Sequence, residues 1–310
     1  MPALHELSAA ELTVAYARRD LSPLEVADAV LARIDACEPK LNAMYLISRE
    51  ACRVAARESE RRWRGGAPAS AIDGVPITLK ENLHTQGDPA PVGTAANSLD
   101  PKPADSPAAA RVREAGAVLL GKTTMPDFGM LSSGRSSVHG TTRNPWRLDR
   151  NTSGSSSGSA AAAAAGYGPL HVGTDIGGSV RLPATHTGLF ALKPSLGRIP
   201  IDPPYTGRVA GPMTRTVRDA AILMEVITRP DVRDWMSLPY QPVDYAAQLD
   251  GLSVRGLRIG LLLDMQAGTP VHPEVRATCE AAARALSNAG AIVEAMPSYL
   301  TPAMLEGVCV

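Results

Sequence analysis

The chain has 310 residues, 45% of them apolar and 20% charged, and 31 Lys and Arg balance 31 Asp and Glu. A formal charge of zero leaves no basic footprint for nucleic acid. No stretch approaches the roughly 20 apolar residues of a membrane span, and charges stand where a signal peptide needs an apolar run, so a cytoplasmic protein with a small-molecule partner is expected.

Ser8 with Glu11, and Ser22 with Pro23 and Glu25, have capping-box spacing and predict helices over about residues 9–19 and 23–36. Val26, Val30 and Ile34 mark the buried stripe of the second. A third helix is expected over about 48–63, stopping at Gly65-Gly66. Residues 1–65 read as a helical cover and 66–310 as an α/β core, together one domain. Asp73-Gly74 then turns into a short buried strand ending on Lys80, and residues 84–105 lack any periodicity and read as a loop. Ser106-Pro107 opens a helix to about Ala115, Gly116 leads into the strand AVLLG, and Met125 to Gly140 is a Gly/Ser-rich loop placed to line a pocket. Beyond residue 183, Thr214 or Thr216 caps a helix with the stripe Ala220, Leu223, Met224 and Ile227. Leu257–Leu263, Pro273–Asn288 and Ala291–Ala295 form a strand, a helix and a strand. The alternation predicts an α/β fold.

Asn151 to Pro183 is organised differently: a Ser/Gly run, the alanines Ala160 to Ala165, and a second Gly-rich turn around Ser179. A linker would not carry Tyr167, Leu170, Val172, Ile176 and Val180, so a helix and a strand framing two tight turns are expected. Such turns aim backbone N–H groups at a reacting group, and a serine among them is a candidate nucleophile. Pro76, Ile77 and Leu79 bias Lys80 towards the interior, where desolvation depresses a lysine pKa and leaves a neutral amine able to act as a base. The cysteines Cys37, Cys52, Cys279 and Cys309 show no CxxC spacing and read as reduced. The six histidines form no HxH or HExxH pair, so no metal and no other cofactor is expected.

Lys80, the Ser/Gly run at 153–159 and GTDIGGSVR at 173–181, with GKTTMP and GPMTRT in the same order, resemble the amidase signature family of serine hydrolases. The resemblance implies a central mixed β-sheet covered by helices on both faces, here lacking its C-terminal part, since family chains are usually longer. It implies a triad of Ser179 as nucleophile, Ser155 as bridging serine after a cis peptide from Gly154, and Lys80 as base. The backbone N–H groups of Ile176, Gly177, Gly178 and Ser179 would hold the oxyanion. Thr174 would support Ser155, and Asp175 with Arg181 would brace the nucleophile turn as an ion pair. Gly129, Met130 and Ser156 are the candidate pocket residues. Ser153 stands where the family usually has Gly, and Glu81 where it usually has Asp.

The leading expectation is an amidase that cleaves a small carboxamide through an acyl-enzyme, with a homodimer as the assembly considered. A glutaminase component of a tRNA-dependent amidotransferase ranks below it, because Ile176 stands where that branch typically carries Thr. From a different class, the chain would be a truncated, inactive amidase-like binding protein.

Overall fold

The computed structural model describes residues 2–264, 270–299, 301, 303 and 304. Both capping boxes form: Ser8 and Ser22 each accept the amide of the glutamate three residues on, opening α1 (Ala9–Arg18) and α2 (Pro23–Leu41). Helix α2 runs past the expected residue 36, carrying Pro39 within it, and ends where Asn42 turns left-handed at φ 52°. Before α3 (Arg49–Arg64) lies a strand that the sequence did not announce, β1 (Met44–Ile47), whose four residues are too few to show a period. It makes the first 65 residues a contributor to the sheet as well as its cover.

The chain continues through β2 (Pro76–Lys80), α4 (Pro107–Glu114) and β3 (Val118–Thr123). Two small hairpins follow, β4 (Arg135–Ser136) with β5 (Gly140–Thr141) and β6 (Arg143–Asn144) with β7 (Arg147–Asn151). Then come α5 (Ser157–Ala165), β8 (Leu170–Asp175), α6 (Arg181–Thr187), β9 (Phe190–Ala191), β10 (Val209–Thr214) and α7 (Val217–Ile227), the last capped by Thr216.

The six-stranded sheet runs β1-β3-β2-β8-β10-β9. Strand β2 is parallel to both neighbours, whereas β1, β10 and β9 pair antiparallel, so the sheet is mixed. Every residue of β2, β3, β8 and β10 is buried, which in a sheet requires cover on both faces. One consequence concerns the two buried lysines. Leu79 pairs with Lys122 and Lys80 with Thr123, so alternation sends Lys80 and Lys122 to opposite faces.

Where one domain was expected, contacts divide the chain into Met1–Ala247, which holds all these elements, and Gln248–Val310. The second unit contains the expected strand, helix and strand: β11 (Arg258–Leu261), α8 (Pro273–Asn288) and β12 (Ile292–Ala295), with the strands parallel. Among the described residues no helix is long and apolar enough to cross a membrane. Cys37, Cys52 and Cys279 are free thiols, and Cys309 lies outside the described residues.

Helix α5 is buried along nearly all its length, and its small side chains set how closely it approaches the sheet. At Gly158 an added Cβ would lie 2.2 Å from the Ala43 carbonyl oxygen and 2.4 Å from the Thr124 amide. In a free helix Gly→Ala stabilises by about 0.5–1 kcal/mol. Here Gly158→Ala is expected to destabilise by roughly 1–3 kcal/mol, because rigid backbone must move. Denaturant midpoints will decide it, and an unchanged or raised midpoint would contradict the close approach.

Candidate active site

Parallel strands β2 and β8 end side by side, and their carboxyl ends carry Lys80 and Asp175. Crevices outside the carboxyl ends of parallel strands are where open α/β sheets bind ligands. Lys80 is wholly buried there. Its Nζ donates to Ser155 Oγ at 2.7 Å and to Thr174 Oγ1 at 2.9 Å. Burial strips water from the ammonium and brings the amine down to about 7, with Arg208 pushing the same way and Asp175 and Glu81 opposing. An amine at that value is substantially neutral near pH 7 and able to accept a proton.

Ser155 reaches Lys80 from the turn that precedes α5. The Gly154–Ser155 peptide is cis, and Ser153 adopts the left-handed φ of 66° that glycine would take more readily. The Asn151 side chain accepts the Ser153 amide at 2.8 Å and holds this shape. Gly154 has no room for a side chain: a Cβ would lie 2.6 Å from the carbonyl oxygens of both Leu131 and Ser133.

Ser179 and Ser155 share the wall of one cavity of about 250 Å³ with Thr174, Ile176, Gly129 and Met130, so the two loop residues singled out for a pocket do line it. Ser179 is half-buried, with the exposure a nucleophile needs. Asp175 and Arg181 form the expected ion pair, at 3.0 and 3.1 Å. Burial alone would raise the Asp175 carboxyl, but Arg181 and the amides of Val180 and Gly178 outweigh it and hold the carboxyl at about 2.

Three expectations need correction. Gly178 gives its amide to Asp175 Oδ1 at 2.8 Å, so it is committed to bracing the turn and leaves Ile176, Gly177 and Ser179 as the oxyanion donors to consider. Thr174 directs its hydroxyl to Lys80 and Asn82 rather than to Ser155. Ser156 is fully buried and does not line the cavity. Its Oγ bonds the Thr174 backbone, and its amide donates to the Ser179 carbonyl at 3.1 Å, which ties the two serine turns together.

Several residues escaped the sequence reading. Asn82 and Arg208 line the cavity. Glu81 is buried beside Lys80, where it accepts the Gly93 amide and faces His139 Nε2, both at 2.9 Å; the His139 ring stacks on Tyr45. Glu81 thus anchors both long loops, a role that its place beside Lys80, where related chains usually carry Asp, did not reveal. Lys122 is also buried and brought to about 7 by burial, but it donates to the Leu83 carbonyl on the far face of the sheet. Strand register separates the two lysines, because alternation sends Lys122 to the face opposite Lys80 and its Ser155 contact. Among the described residues no group of His, Cys, Asp and Glu is placed to hold a metal ion.

Residues 25–309 match the Amidase family. The chain is 40% identical over 302 residues to the matching component of the glutamyl-tRNA(Gln) amidotransferase of Roseiflexus castenholzii, covering 94% of this chain and 60% of that one. It is 36% identical over 314 residues to an acylamidase of Rhodococcus erythropolis, covering 99% and 65%. A bacterial aryl acylamidase of the amidase signature enzymes superposes with a TM-score of 0.88 at 34% identity, covering 95% of this chain and 62% of its own. The chain therefore spans less than two thirds of the length of these relatives.

The Asp175 brace makes a stability prediction. Asp175→Asn should destabilise by about 3 kcal/mol, since Arg181 and one or more amides lose a carboxylate partner in a buried turn. The folded carboxyl sits near 2 against an ordinary 3.8, so its contribution is present above about pH 4 and lost as pH falls through about 2. Urea titrations of both proteins should show the difference shrinking towards pH 2; a difference independent of pH would contradict the brace.

Proposed function

Because the chain belongs to the amidase signature family, we propose that it hydrolyses a small carboxamide to a carboxylic acid and ammonia or an amine through an acyl-enzyme on Ser179. The observation that carries this reading is Lys80, buried and able to be neutral, 2.7 Å from Ser155 in the wall of the cavity that Ser179 also lines. An amide carbonyl is a poor electrophile, so cleavage needs an activated hydroxyl, a base and donors for the developing charge.

Ser179 Oγ attacks the carbonyl carbon while its proton passes to Ser155, and the Ser155 proton passes to Lys80. The carbonyl oxygen becomes an oxyanion, which the amides of Ile176, Gly177 and Ser179 are the candidates to hold. Lys80 then returns its proton through Ser155 to the leaving nitrogen, the C–N bond breaks, and the acyl group remains on Ser179. Water, deprotonated by the same relay, attacks the ester and releases the acid. Ser–Lys pairs are an established variant of triad logic, so histidine is not required. Asp175 cannot serve as the base, since its carboxylate is held at about 2 by Arg181 and two amides.

The 40% identity to a component of a glutamyl-tRNA(Gln) amidotransferase supports a second reading, a glutaminase that works within a complex. Ammonia release from glutamine only when partner proteins are added would favour it over the free amidase.

A fluorophosphonate should label Ser179, and Ser179→Ala should abolish labelling. Lys80→Ala should slow it by about 10³-fold or more. Since the Lys80 amine is lowered to about 7 and only the neutral form accepts a proton, the rate should fall about tenfold per unit as pH drops below about 7. A rate flat from about pH 8 to pH 5 would remove Lys80 as the base. A folded chain that is not labelled and turns over no amide would favour the binding-protein alternative.

A further inference from the structure

The cavity that holds Ser155 and Ser179 also holds an arginine that the proposed chemistry does not use. Arg208 stands just before β10 and lines the same wall as Asn82, Ser179 and Tyr205. Its described contacts are few. Nη2 donates to the Pro203 carbonyl at 2.6 Å, and the guanidinium lies 5.6 Å from the centre of the Tyr205 ring.

Other arginines behave differently. Arg181 is spent on Asp175 at 3.0 Å, Arg62 on Asp73 at 2.6 Å and Arg233 on Asp231 at 2.6 Å. Among the described residues no carboxylate pairs with Arg208, and Asp202, the nearest acidic residue in its sequence neighbourhood, acts on it only at longer range. Asp175 also borders the cavity but is already satisfied by Arg181 and two amides. The uncompensated charge on the wall is therefore positive.

A partly buried cation without a counter-ion is costly, and here burial does lower the Arg208 pKa. A guanidinium presents five donors in a fixed fork that matches a carboxylate, and only one of its nitrogens is committed here. Tyr205 backs one side of the fork and the Pro203 carbonyl fixes its orientation, so the group is held ready for a ligand.

We propose that Arg208 is a specificity residue which binds a carboxylate carried by the substrate, so that the preferred substrates are amides bearing a second, anionic group a few bonds from the scissile carbonyl. The proposal rests on the amidase reading for the identity of the reacting group, but not for the binding of the anion.

The test compares succinamate with butyramide, its neutral counterpart of similar length. Ammonia release by the whole chain should favour succinamate in kcat/KM by about 100-fold, the size of a charge-assisted hydrogen bond that one substrate makes and the other cannot. In Arg208→Gln that ratio should fall towards unity, and Arg208→Lys, which keeps the charge but loses the fork, should retain part of it. The wild-type ratio should also shrink as ionic strength rises. Equal loss on both amides in Arg208→Gln would overturn the proposal, as would a wild-type ratio near one.

A binding measurement separates this failure from failure of the amidase reading. Calorimetric titration of Ser179→Ala with each amide should give tighter binding of succinamate, and the Ser179→Ala/Arg208→Gln double variant should bind the two alike. Selective binding without turnover or phosphonate labelling would sink the amidase reading and leave the anion site standing. Turnover and labelling without selectivity would do the reverse.

Discussion

The structure is arranged around the removal of one amine from water. A lysine wholly inside a protein must be either paired with an anion or allowed to lose its proton, and Lys80 meets hydroxyls and a carbonyl instead of a carboxylate. The anionic groups closest to it are diverted: Asp175 is satisfied by Arg181 and two amides, Glu81 by Gly93 and His139. Had either carboxylate turned onto Nζ, the ammonium would have been stabilised and the amine held in its charged form. The buried strands of the mixed sheet, the close approach of α5 and the two serine turns supply the dry surroundings that this arrangement needs.

How much of this was legible depended on whether local composition or long-range packing decided the matter. Ser155 and Ser179 stood out because a Ser/Gly-rich turn, a polyalanine helix and a second Gly-rich turn are a composition that ordinary elements do not require, and Lys80 because Pro76, Ile77 and Leu79 draw its strand inside. The capped helices were legible from side-chain spacing alone. Strand β1 was not, because four residues between two helices carry no period and its pairing with β3 joins residues far apart in the chain.

Neighbouring side chains proved harder. Ser155 and Ser156 are adjacent and chemically identical, yet one faces the cavity and the other locks into the backbone of β8. Only the local path of the chain tells them apart. Thr174 lines the cavity, but its hydroxyl oxygen accepts from the lysine because Lys80 and Thr174 meet where their strands end. Arg208 was invisible for a different reason: it is brought to the cavity by an irregular segment with no periodicity, so nothing local marks it as more than one arginine among many.

The anchoring of two loops at Glu81 limits how such a pocket can diversify. Gly93 and His139 are pinned to the residue next to Lys80, so insertions at those points would disturb the setting of its amine. Side chains that border the cavity without touching Glu81 lie around Phe128 to Met130 and around Tyr205 to Arg208; the first stretch is tied by the Phe128 amide to Val92, and Arg208 in the second helps hold the Lys80 amine low. On the amidase reading proposed above, substrate preference would be reshaped at these two rims, and a change at Arg208 would be felt at Lys80 as well.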